Sequence, residues 1–220
     1  MNKYKITEEK IKYRGKTLKR IQALKDFGHI RKGQKGGWVE GEWNLSQWGN
    51  CWVGGEAKVY EKANVLENAF VTDNAIINCN AMIWGNAKVG GEVHIWNNAK
   101  IFDNAEIFGS CLVFGSARVA GNAKISGFAK IYGDAYVSSN IEIRDNVEIF
   151  GDFTETKQNL RIGGDAKLSN SKGEIEIYSW HPLYPLVITK KPKTLYHLGD
   201  FTGTHSEFLK FICLKNLTII

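Results

Sequence analysis

Proton transfer near neutral pH calls for a histidine or a tuned carboxylate, nucleophilic catalysis for an activated thiol or hydroxyl, and metal chemistry for clustered ligands. The chain has five histidines and four cysteines in 220 residues. His94 stands alone in a long regular stretch, just before Ile95, and is the one candidate general base. No carboxylate is placed beside it in the pattern, so a surface or interface histidine is the simpler expectation. His181, His197 and His205 fall in the tail without metal-like spacing. Cys51, Cys79, Cys111 and Cys213 form no C-x-x-C, and two of them stand where the pattern otherwise has alanine. They read as buried, reduced thiols. No phosphate loop, nucleophile elbow or dinucleotide fingerprint occurs. The expectation leans away from an enzyme and requires no cofactor and no metal.

The regular stretch decides where any side chain can act. Val or Ile recurs every sixth residue from Val53 to Ile149, seventeen times without an insertion. Two places before each beat sits a small residue, usually Ala, with Cys51, Val93, Cys111, Ile141 and Val147 as variants. In a strand, alternate residues share a face, so the small residue and the beat both point inward. The neighbours of each beat point out. The remaining residues are corner-formers, as in Gly85-Asn86, Asp103-Asn104 and Gly133-Asp134, which tolerate left-handed backbone. A short strand and a corner every six residues makes a solenoid. A period of six does not fit an amphipathic helix.

The pattern resembles the hexapeptide repeat of left-handed parallel β-helices, in which three hexads make one triangular coil of about 18 residues. The ends narrow the resemblance. RGKTLKRIQALKDFG, then KGQKGGWVEGEWNLS, then unbroken hexads, then GDFTGTHSEF resemble hexapeptide-repeat proteins encoded by phages and prophages. Such proteins are often labelled transferases on the repeat alone. The resemblance implies an all-β fold: a left-handed parallel β-helix of about six coils. An N-terminal β-hairpin cap and a C-terminal strand and helix extension complete it. It also implies a habit of forming trimers. Acyltransferases of this fold use a catalytic histidine and a coenzyme A groove between subunits, and often a loop thrust from a coil, which the hexads here lack.

If three hexads make a coil, positions three beats apart stack. One outward column then reads Tyr60, Asn78, Trp96, Phe114, Tyr132 and Phe150, and its flanking column includes Lys58, His94 and Lys130. Stacked aromatics on one face offer an apolar area near the largest a monomer leaves open. The tail, another subunit or a ligand would cover it. Lys58, Tyr60, His94, Trp96, Phe114, Lys130, Tyr132 and Phe150 are therefore the expected ligand-binding or interface residues.

Three regions are expected: a basic hairpin cap over 1–36, the repeat body over 37–155, and an extension over 156–220 ending in a short helix. The hairpin turn is placed at Gly15-Lys16, with Ile11, Tyr13, Leu18, Ile21 and Leu24 for packing. In the tail, Thr204 and Glu207 form a capping-box pattern for the helix. Residues 1–35 carry 12 basic against 3 acidic side chains, whereas residues 50–155 carry 8 against 13. A basic head on an acidic body suits an anionic partner, and nucleic acid is a variant that is not favoured. The apolar runs are far short of the ~18 residues a membrane span needs. No secretory leader is evident, so the expected place is the cytoplasm, that of an infected bacterium on the resemblance. The expected function is a non-catalytic, oligomeric binding protein that sequesters a small anionic, nucleotide-like signal or a host defence partner. Acyl transfer from acyl-CoA and a structural, virion-associated role are the alternatives.

Overall fold

The computed structural model describes residues 2–151 without a gap. Beyond them it describes 153–155, 161–163, 167–170, 174–181, 184–190, 195–198 and 201–203. The chain is an all-β parallel β-solenoid of about 7 turns, against the six expected. Seventeen strands, from Trp52–Val53 to Glu148–Gly151, carry the seventeen beats. Each pairs in parallel with the strand three hexads on, beat to beat. Val59, Ile77, Ile95, Val113, Ile131 and Ile149 climb the first face. Val65, Ile83, Ile101, Val119 and Val137 climb the second. Val53, Val71, Val89, Ile107, Ile125 and Ile143 climb the third. Every one of these beats, and every small residue before them, is at most 1% exposed. The narrow interior explains the small position, since larger side chains there would overpack it.

The corners take the left-handed backbone foreseen for them, with φ of 70° at Gly85, 58° at Asp103 and 71° at Gly133. They also carry a device that the composition did not announce. A corner carboxylate reaches one coil onward and accepts from a backbone N–H: Asp73 from Gly91 at 2.7 Å, Glu67 from Gly85 at 3.0 Å, Asp103 from Gly121 at 3.1 Å. A second tie runs up one corner as an amide ladder, Asn68 to Asn86 to Asn104 to Asn122 to Asn140, with links of 2.9–3.2 Å.

Three strands form the head: β1 (Tyr4–Tyr13), β2 (Lys16–Ala23) and β3 (Lys35–Val39). β1 and β2 are a hairpin whose turn is Arg14–Gly15, one position before the expected site. Both turn residues have positive φ, 45° and 78°, as a two-residue hairpin turn requires, and Gly15 supplies the easier of the two. β3 joins the head to the first face, pairing antiparallel with β2 and parallel with Lys58–Val59. Val39 and Leu45 already occupy beats, paired with Val59 and Val65. This first coil is slightly longer than three hexads, and its extra length falls between Leu45 and Val53. Lys3, Tyr4, Ile21 and Ile30 are buried in the head. The Tyr4 hydroxyl donates to the Leu45 carbonyl at 2.6 Å.

At the far end the stack outlasts the sequence phase. Thr154–Glu155 pairs in step with Tyr136–Val137. Arg161 then pairs with Glu142 and Lys167 with Glu148, each one position farther on than three hexads would place it. One inserted residue shifts the beat while the coil continues to Asn170, so the boundary expected at 155 falls within the last turn. Strands Glu174–His181, Tyr184–Lys190, Leu195–Leu198 and Phe201–Gly203 form a separate antiparallel sheet. The helix expected after Thr204 lies outside the described residues.

Candidate functional site: a ring ladder and the cleft beside it

The outward column of the first face becomes a ladder of rings. Trp96 and Phe114 stack at 4.4 Å and 7°, Phe114 and Tyr132 at 4.8 Å and 1°, Tyr132 and Phe150 at 5.4 Å and 10°. The parallel-strand spacing of ~4.8 Å imposes this, because it is also a ring-stacking distance. Phe114 and Tyr132 spend both faces on neighbouring rings, Trp96 and Phe150 one face each, and all four are half-buried. The arrangement is flat and rigid. Along its length it offers ring edges, not ring faces, to a planar ligand.

The head removes Tyr60 from this ladder. Tyr60 is 2% exposed and packs with Leu18 and Trp38, with the Tyr13 ring edge-on at 5.9 Å. Asn78 separates it from Trp96 in the column. The cations of the flanking column are also engaged. Lys58 Nζ lies over the Tyr13 ring at 5.3 Å and donates to the Glu56 carbonyl at 3.0 Å. Lys130 pairs with Glu148 at 3.1 Å, and Lys167 approaches the same carboxylate at 3.5 Å. The Lys130 hydrogen bond leads in holding the Glu148 carboxyl below its usual range.

His94 sits against Trp96, ring centres 4.5 Å apart, and its Nε2 donates to the Asn78 side-chain oxygen at 2.9 Å. Burial, with the Arg14 charge as a lesser cause, holds its pKa below the ordinary value, so it is neutral at pH 7. A neutral imidazole can accept a proton, but its orienting partner is an amide and not a carboxylate. Among the described residues no group of three or more His, Cys, Asp or Glu is placed to hold a metal ion. No helix among them is long and apolar enough to cross a membrane.

The sequence columns put Trp84 and Phe102 together on the next face without singling them out, and one further feature escaped the sequence reading. A second, shorter ladder, Trp84 on Phe102 at 4.6 Å and 5°, rises on the second face. An open cleft of about 530 Å³ lies where the head meets the corner between the first and second faces, lined by Lys16, Glu40, Trp43, Glu61, Lys62, Cys79 and Asn80. Buried Asn44 shapes it. Its Oδ1 accepts from the Glu40 and Gly41 N–H groups at 3.1 and 3.0 Å, and its Nδ2 donates to the Glu61 and Ala63 carbonyls at 3.1 and 2.8 Å. Cys51 and Cys111 are buried as expected at the small position, but Cys79 is a corner residue with φ of 57° and a partly exposed thiol. Its place in the hexad phase, one step past an outward residue, could have signalled that.

No protein-family model matches the chain. Part of it is similar to a curated relative, "Uncharacterized acetyltransferase YdcK" of Escherichia coli K12. The two are 34% identical over 61 residues, covering 24% of this chain and 19% of that protein. The match thus spans about a fifth of the relative's length.

Proposed function

We propose that this chain is a non-catalytic binding scaffold that works as a homo-oligomer. The Trp96–Phe114–Tyr132–Phe150 face is its subunit contact, and an anionic, nucleotide-sized molecule is its ligand. The ring ladder carries the reading. A flat, largely apolar row of ring edges on a rigid sheet suits a second flat surface better than a small molecule. The repeat supports a left-handed winding and a trimer by resemblance alone. The head and end segments support a phage or prophage origin in the same way, and with it action in the cytoplasm of a bacterial host on a small signal or a defence protein. Phe114→Arg tests the contact by light scattering on the full chain. A drop to monomer mass with an unchanged circular dichroism spectrum supports it. An unchanged wild-type mass would refute it.

Acyl transfer from acyl-CoA is the second reading, favoured by the name of the E. coli relative. Neutral, half-buried His94 would be the base. That reading requires turnover of acetyl-CoA by the wild type and its loss in His94→Ala.

A further inference from the structure

The geometry points to the cleft at Trp43, and not the ring ladder, as the ligand site; we infer that it takes a planar anion of the nucleoside-monophosphate class. The inference rests on the reading of the chain as a binding scaffold. It answers a problem that the ladder poses, since a stacked ligand needs a free ring face.

Trp43 supplies one. It is 59% exposed, yet fixed in place. Its Nε1 donates to the Glu61 carbonyl at 2.7 Å. Gly41 lies against the benzo half of the indole, so closely that a Cβ there would clash with its ring atoms. Gly41 has extended backbone, φ −162°, so its role is to make room and not to relieve a strained turn. One face of the indole is thereby seated, and the exposed ring lines the cleft. An exposed ring held by a hydrogen bond and a glycine seat has little motion left to lose when a ligand stacks on it.

The lining carries two lysines and two glutamates, and three of the four carboxylate oxygens are already engaged. Glu40 is spent: one oxygen holds Lys16 at 3.2 Å and the other accepts from the Glu61 N–H at 2.7 Å. Glu61 spends one oxygen on the Cys79 N–H at 2.8 Å. The Asn80 amide donates to Asn98 at 3.0 Å. Lys62 is exposed and has no ion-pair partner among the described residues. Lys16 keeps donor capacity beyond its one carboxylate. A ligand with a flat ring and an acceptor-rich, negatively charged end satisfies both halves of the cleft. The volume, about 530 Å³, is in the range of small-ligand sites.

The test uses the full-length chain with indole-¹⁵N tryptophan, the Trp43 signal being assigned from Trp43→Phe. The probes are the four ribonucleoside 5′-monophosphates, with ribose 5-phosphate as the ring-free control. At least one nucleotide should give a saturable shift of the Trp43 signal, and ribose 5-phosphate should give none. Lys62→Gln should weaken binding about tenfold. The same nucleotide should slow alkylation of Cys79, read by peptide mass spectrometry. No shift at Trp43 with any nucleotide up to millimolar concentration would overturn the inference. Calorimetry on the same samples separates the two ideas: heat without a Trp43 shift leaves the scaffold reading standing and moves the site elsewhere, whereas no heat with any nucleotide removes the nucleotide-like ligand from both.

Discussion

Lys3 Nζ lies 2.8 Å from the Cys51 carbonyl oxygen and 3.2 Å from the Cys51 thiol, in a pocket where Lys3 is 1% exposed. It also reaches the carbonyls of Gly49 and Trp48 at 3.3 and 3.4 Å and stands over the Phe27 ring at 5.2 Å. The open end of a solenoid presents backbone groups that its own repeat cannot pair. Here one lysine from the head pairs several of them. Lys3→Met keeps the stem and removes the donors, leaving the buried Cys51 carbonyl without its partner. It should cost about 1–3 kcal/mol in urea unfolding. An unchanged midpoint would mean that this lysine does not hold the head to the coil.

Asn44 is the second joint between head and coil. Its amide is satisfied on all four sides, and the residue is fully buried. Asn44→Leu should therefore lose about 3 kcal/mol, since the buried Gly41 N–H and Ala63 carbonyl lose their partners at once. Asn44→Asp should be no better, because it turns an oxygen toward the Glu61 and Ala63 carbonyls. Stability equal to wild type in either variant would contradict the role given to this side chain.

His94 makes a prediction about pH. Its folded pKa is depressed below the ordinary 6.5 by burial and then by Arg14. The unfolded chain therefore binds more protons than the folded one just below that value, and stability falls as pH drops from 7 toward 5. His94→Gln keeps an amide donor for Asn78 and cannot titrate. Relative to this variant, the wild-type melting temperature should decline on acidification. Parallel curves from pH 7 to 5 would show that His94 does not titrate differently on folding.

The small position of the hexad predicts a size limit. Ala105 is fully buried between Asn104 at the corner and beat Ile107. Ala105→Leu should cost about 1–3 kcal/mol by overpacking, and Ile107→Ala about 2–5 kcal/mol by leaving a cavity. Val93, Ile141 and Val147 hold larger side chains at the same phase, so the limit is local and Ala105→Val should be milder. Thermal unfolding of the three variants checks the order. A Leu variant as stable as wild type would mean the interior has room the packing does not show.

The beats from Val53 to Ile149 made the coil, its pairing at three hexads and its corners legible, because one residue type repeats at one phase. What failed to show was what breaks the phase. The insertion after Glu155 read as an end to the repeat, yet the stack absorbs it, as it absorbs the extra length after Leu45. Trp96, Phe114, Tyr132 and Phe150 could be put in one column, but only the strand spacing revealed that the rings stack on one another. Tyr60 sat in the same column and is buried, because the head folds over its coil. Trp43 could not be read at all. Its seat on Gly41 and its bond to Glu61 exist only once the head meets that particular corner.

The central claim is that the ring ladder is a contact between copies of this chain. Native mass spectrometry of the full-length protein tests it most directly. The account predicts a homo-oligomer, a trimer in the favoured form, that falls to monomer in Phe114→Arg. A wild-type protein that remains a monomer at micromolar concentration would contradict it.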